Sequence, residues 1–156
     1  MIKSLNIGVV CGVAFAFILG GCSDKNFQTE LLKNPSFLAF DGWSFSTDKS
    51  LLTVGRALVT VTTPASQPVS VVPGRRYQNS VTAKCADQPS PGRVQVSWLD
   101  SKGGFITTDI NVFDCTPAET TQSMEVKAPA NASLAIVYAT GHSNVPIIIT
   151  KVSFRQ

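Results

Sequence analysis

Few side chains in this sequence are equipped for chemistry, and they are scattered. His142 is the only histidine and sits in a turn-like run, Gly141-His142-Ser143-Asn144. Ser143 is its neighbour, yet no acid, base and nucleophile follow at a spacing that fixes a catalytic set. Asp100 and Asp109 lie within one expected hairpin, and paired carboxylates can hydrolyse glycosides. Asp100 belongs to the run Asp100-Ser101-Lys102-Gly103-Gly104, where aspartate is favoured for backbone reasons. No glycine-rich loop enters a helix to cradle phosphate. Arg75-Arg76 follow a Pro-Gly turn and read as solvated. The expectation is a protein that is not an enzyme.

The four cysteines carry more information. The chain starts with Lys3 and then an apolar run from Ile7 to Leu19, and it reaches Leu19-Gly20-Gly21-Cys22. A charged start, an apolar middle and a small-residue end make a secretory signal. The stretch from Ile7 to Gly21 is 15 residues, against the roughly 20 that span a bilayer. Ser23-Asp24-Lys25-Asn26 follows with no basic stop-transfer cluster. Leu-Gly-Gly-Cys resembles the lipobox of bacterial lipoproteins. The resemblance implies a signal peptide over 1–21, acylation at Cys22, and a short tether completing 22–29. Several acyl chains on one cysteine, each buried CH₂ contributing about 0.8 kcal/mol, would hold the protein to its membrane. Ser23 stands where aspartate marks inner-membrane retention, so the implied location is the cell envelope, at the outer membrane.

With Cys11 in the signal and Cys22 lipidated, Cys85 and Cys115 remain. An even pair in an oxidising compartment predicts a disulfide, the alternative being two buried thiols. Zinc would need further ligands that no nearby histidine supplies. Val94–Trp98 alternates, Ser101–Gly104 turns the chain, and Ile106–Phe113 alternates again. Such a hairpin brings Cys85 and Cys115 to one end of the domain.

These residues must be positioned by strands. The 156 residues include 17 Val and 14 Thr but only 3 Glu, with 9 Pro and 11 Gly as punctuation. That composition favours an all-β domain. Strands are expected near 51–54, 56–62, 67–72, 76–85, 93–99, 105–113, 121–128, 133–140 and 147–154, and no window keeps a helical period. Their regular spacing predicts a two-sheet β-sandwich over residues 30–156. Alternation puts Val94, Val96 and Trp98 on one face, opposite Gln95, Ser97 and Leu99. It groups Ile106, Thr108, Ile110 and Val112 against Thr107, Asp109 and Asn111, and it reads Leu134, Ile136 and Tyr138, and Ile148, Val152 and Phe154, as core faces. A net charge of +3, scattered along the chain, gives no nucleic-acid surface.

Several segments, in order, carry a second resemblance. Glu30–Phe37 with Asp41-Gly42-Trp43, Val69–Tyr77 with its Pro-Gly turn, Val94–Gly103, Ala128–Ala132 and Ile149–Phe154 are similar to carbohydrate-binding modules of the galactose-binding-like jelly-roll group. The resemblance covers nearly all of residues 30–154. It implies an antiparallel jelly roll and a non-catalytic module binding a glycan or another envelope component. The alternative is a structural or assembly lipoprotein docking onto an envelope protein complex. Many members hold a structural Ca²⁺ with a Glu after the opening Phe and an Asp in the last strand. Here those positions are Leu38 and Thr150, so no metal or other cofactor is expected, the alternative being a structural Ca²⁺ held weakly by backbone carbonyls.

Sugar recognition needs an aromatic beside amide and carboxylate groups. Trp98 and Tyr77 read as core, and so does Tyr138. Gln78, Ser80, Thr82, Lys84, Gln95, Ser97, Thr107, Asp109 and Asn111 are expected on a polar face, either solvated or a ligand cleft. The candidate ligand residues are Asp109 and Asn111, with Gln95 across the hairpin and Trp43 at the loop-to-strand junction.

Overall fold

The structure, a computed structural model, describes residues 27–39, 41–45 and 52–156. The expected signal peptide, Cys22 and most of the tether lie outside the described residues. Among the described residues there are ten strands and no helix: β1 (Ser44–Phe45), β2 (Leu52–Thr53), β3 (Arg56–Val59), β4 (Ala65–Ser70), β5 (Arg76–Cys85), β6 (Pro91–Leu99), β7 (Phe105–Asp114), β8 (Thr120–Lys127), β9 (Leu134–Gly141) and β10 (Ile147–Arg155). They form two antiparallel sheets, β1-β4-β9-β6-β7 and β2-β3-β10-β5-β8. The all-β sandwich expected from composition and alternation is the observed fold. β1 was not expected, and β4 begins at Ala65, two residues before its expected start.

The sheets meet over an apolar interior. Tyr77 of β5 and Phe154 of β10 stack with ring centroids 4.9 Å apart, and Trp98 of β6 lies 6.1 Å from Tyr77 and 6.3 Å from Phe154. All three are fully buried. Each such side chain contributes roughly 1.5–3 kcal/mol by leaving water. The Tyr77 hydroxyl accepts the Val72 backbone N–H at 2.7 Å, so it is not left unpaired inside.

Two irregularities decide which side chains face inward. Ile147 and Ile149 of β10 pair with Cys85 and Ala83, and then the register shifts at Thr150. The extra residue reverses the alternation, so Val152 and Phe154 also point inward. Ile148, expected to share their side, therefore faces outward, half-buried. A second shift near Ile106 sets Leu99 against Phe105, while Trp98 lies opposite Thr107.

The first described residues are tied to the C-terminal strand. Gln28 and Thr29, placed in the tether by the sequence reading, donate backbone N–H groups to Gln156 O, and Gln156 N donates back to Thr29 O. The Glu30 carboxylate accepts from the Ser153 hydroxyl, the Phe154 N–H and the Arg155 guanidinium, as well as from the N–H groups of Leu31 and Leu32. The expected disulfide joins Cys85, at the end of β5, to Cys115, just after β7, with Cα atoms 5.3 Å apart. It therefore links the two sheets.

Candidate functional site

Strand register defines one outward face with a mixed chemistry. On the first sheet, Tyr138 of β9 stands between Ser66 of β4 and Gln95 of β6, and Gln95 is in turn opposite Ile110 of β7. One step along, Thr140, Arg93 and Val112 form the next row. On the other side lie Ile136, Ser97 and Thr108. Directly paired side chains on such a face have Cβ atoms about 4.5–5.5 Å apart. Tyr138, Gln95 and Arg93 are therefore near neighbours.

The groups are held firmly from below and from the side. Ser97 and Thr108 share a hydroxyl hydrogen bond of 2.8 Å. Thr140 donates from its hydroxyl to the carbonyl of Thr60 or of Gly141, at 3.2 and 3.1 Å. Arg93 Nε donates to Gly141 O at 3.0 Å. The Gln95 carbonyl accepts from Asn79 Nδ2 at 3.2 Å, a tie across the interior from the second sheet. The side-chain oxygen of Gln95 is buried with no donor. An orphaned buried acceptor costs roughly 1–3 kcal/mol, so a small rearrangement that supplies a hydroxyl or N–H donor would be favourable. Burial draws the Arg93 guanidinium below the usual arginine range. An aromatic ring, an amide, hydroxyls and a guanidinium suit a polar, hydroxyl-bearing ligand.

The sequence-predicted residues do not all meet here. Gln95 does. Asp109 and Asn111 do not: they pair with Val96 and Val94, whose side chains point into the sandwich. β7 is an edge strand, so its inward row is only partly covered: Asp109 is half-buried, while Thr107 and Asn111 stay exposed. Asp109 Oδ2 accepts the Trp98 indole N–H at 2.7 Å, which satisfies the one polar group of a fully buried side chain. Consequently Ile110 and Val112, expected on the core side, are 48% and 47% exposed beside Gln95 and Arg93. Gln78, Ser80, Thr82 and Lys84 belong to β5, on the outer face of the other sheet, and share no patch with Gln95.

Trp43 is buried, its ring 4.9 Å from that of Phe37 and its indole N–H donating to Asn34 O at 3.0 Å. It presents no platform. Tyr138, expected in the core, faces outward. The inward positions of β9 are Ala135, Val137 and Ala139, all buried, so its larger side chains face out. Both faces of β9 are apolar, and alternation could not choose between them. The missed residues are Tyr138 and Arg93. The available signal was a charged residue at the third position of an apolar strand, in Pro91-Gly92-Arg93-Val94.

Of the remaining candidates, Asp100 and Thr150 are engaged by hydrogen bonds, while His142 and Leu38 are exposed. Asp100 accepts the Lys102 and Gly104 N–H groups at 2.8 Å each, capping the β6–β7 turn. His142 is exposed. Leu38 is 68% exposed, and Thr150 donates to Glu119 at 2.6 Å. A depression of about 260 Å³ beside Lys33 and Gly42 is backed by Gln67, whose amide bonds the backbone N–H and C=O of Lys33. Another, of about 240 Å³, lies beside Cys85 and Pro117. Tyr138 lines neither of them.

Solved structures share this fold. The N-terminal CBM22-1–GH10 modules of Clostridium thermocellum xylanase 10B, complexed with xylohexaose, match with a TM-score of 0.61 and 19% identity, over 81% of this chain and 28% of that chain. This chain thus spans under a third of that protein's length. A family 16 carbohydrate-binding module matches with a TM-score of 0.56 and 17% identity, over 81% and 99% of the two chains. The C-terminal family 22 module of Clostridium thermocellum Xyn10B matches at 0.57 and 14%, over 83% and 93%. The chain has the jelly-roll fold of a carbohydrate-binding module. No protein-family model matches it, and no curated protein matches it in sequence. At 14–19% identity these likenesses show the fold alone.

Proposed function

We propose that this protein is a non-catalytic glycan-binding lipoprotein of the bacterial envelope, which binds sugar on the outward face around Tyr138. The observation that carries this reading is an aromatic side chain flanked by Gln95 and Ser66 on a five-stranded sheet. A similarly folded module–enzyme structure holds a xylo-oligosaccharide, which supports sugar as the ligand class. Asp100 and Asp109 are engaged by a turn and by Trp98, which argues against their acting as a hydrolytic pair. Calorimetry with xylohexaose and a panel of envelope and plant oligosaccharides tests the reading. Tyr138→Ala should weaken binding about tenfold or more, equivalent to at least 1.4 kcal/mol, with the thermal transition retained. Equal binding by the variant would put the sugar elsewhere.

The anchor rests on Leu19-Gly20-Gly21-Cys22, and Ser23 favours the outer membrane. Cys22→Ala should abolish incorporation of labelled fatty acid; equal labelling would remove the lipoprotein reading. A second reading, docking onto an envelope protein, is favoured by the exposed Phe105, Ile110 and Val112 of β7. Co-purification of one envelope protein, lost on Ile110→Ser and accompanied by no sugar binding, would establish it instead.

A further inference from the structure

Arg93 carries more charge than its surroundings answer. It lies near the start of a central strand, half-buried, between Thr140 and Val112. Its Nε is occupied by Gly141 O. The two terminal nitrogens have no hydrogen-bond or carboxylate partner among the described residues, and neither is sealed away from solvent. Other cations near acids on this protein do find partners: Arg76 bonds Glu125 and Arg155 bonds Glu30. On the same face the sole acid of β6, β7 and β9 is Asp114, which is diagonal to Arg93 across the β6–β7 pair, is exposed, and forms no ion pair with it.

The geometry of what is left unpaired selects the ligand group. With Nε taken, the outer pair of guanidinium nitrogens remains, and two parallel N–H donors match a planar carboxylate. Half-burial strengthens such a contact relative to one in bulk water. Arg93 is diagonal to Tyr138 across the β6–β9 pair, which places the two about 7–8 Å apart. One pyranose ring with a carboxylate on it covers that distance.

We propose that Arg93 makes this face selective for acidic sugars, its terminal nitrogens gripping the carboxylate of a uronate residue whose ring lies against Tyr138. The inference rests on the glycan reading above and narrows its substrate class. Val112 stands opposite Arg93 and Ile110 opposite Gln95, so apolar side chains line the β7 side of the guanidinium.

The test uses matched ligands: oligogalacturonate, oligoalginate and a glucuronic-acid-branched xylo-oligosaccharide, each beside its carboxyl-reduced form, with xylohexaose as a neutral reference. On the full chain in detergent, at least one acidic oligosaccharide should bind about tenfold or more tightly than its reduced twin, the difference shrinking as salt rises. Arg93→Gln should bring the acidic ligand down to the level of the reduced one, so that the ratio of their affinities falls from about tenfold to about one. Arg93→Lys should recover only part of the preference, because a point charge replaces the fork. Thermal denaturation of each variant confirms that the fold persists. Equal binding of acidic and reduced forms by the native protein overturns the acidic-sugar inference and leaves glycan binding standing. Equal weakening of both forms by Arg93→Gln also overturns it. Binding of none of the sugars overturns the glycan reading itself.

Discussion

Replacing Cys85 and Cys115 together with alanine should lower the unfolding free energy by about 3–4 kcal/mol, as expected for removing a cross-link that closes a loop of this length. The two cysteines are 30 residues apart in sequence, and the loop between them contains all of β6 and β7. Without the bond, the unfolded chain regains the freedom of that loop, while the folded chain keeps its other contacts. Those contacts are real: Cys85 N donates to Thr116 O at 2.9 Å and Cys115 N to Ser90 O at 3.3 Å, so the native geometry persists after substitution. Urea denaturation should show a lower midpoint. A slope increased by the less compact unfolded chain would be consistent with the same account. A loss below about 1 kcal/mol would mean that the bridge constrains little that the sheets do not already hold. Non-reducing mass analysis of the native protein should show both thiols oxidised.

The second large effect is at Trp98. Trp98→Ala should cost about 3–5 kcal/mol, because it empties a fully enclosed site beside the stacked rings of Tyr77 and Phe154. Asp109→Ala should cost about 1.5–3 kcal/mol by stranding the indole N–H beneath the surface. This expectation reverses the one that alternation suggests, in which Asp109 is a free ligand residue whose removal leaves the fold untouched. Trp98→Phe removes the indole donor and much less volume, so its cost in thermal denaturation separates the hydrogen bond from the packing. An Asp109→Ala protein as stable as the native one would show that the indole bond contributes nothing.

β7 explains why the ligand residues were misplaced. Its apolar members, Ile110 and Val112, have the composition of a core face, and its polar members, Asp109 and Asn111, that of a solvated one. The pairing Gln95↔Ile110 and Val96↔Asp109 inverts both. Hydrophobic alternation reports the inward face only when that face is covered, and an edge strand of a sandwich is covered on neither side completely. Core residues on β6 were legible for the opposite reason. Val94, Val96 and Trp98 lie between β9 and β7 with the second sheet beneath them, and every one is fully buried.

Length, β-branched composition and turn spacing determined by themselves that this chain builds a two-sheet β domain, and cysteine arithmetic pointed to the Cys85–Cys115 pair that the structure joins. These follow from local preferences and from a count, which do not depend on where each strand ends up. The tertiary structure alone decided that Tyr138 and Arg93 share an outward face with Gln95, while Asp109 supports Trp98 from within. Strand order and register bring together residues as distant as 93 and 138, and the shift at Thr150 exchanges the faces of β10 partway along. Such choices depend on how side-chain volumes fill the interior between the sheets. With Trp98, Tyr77 and Phe154 packed there, β9 turns its alanines inward and its tyrosine to the surface.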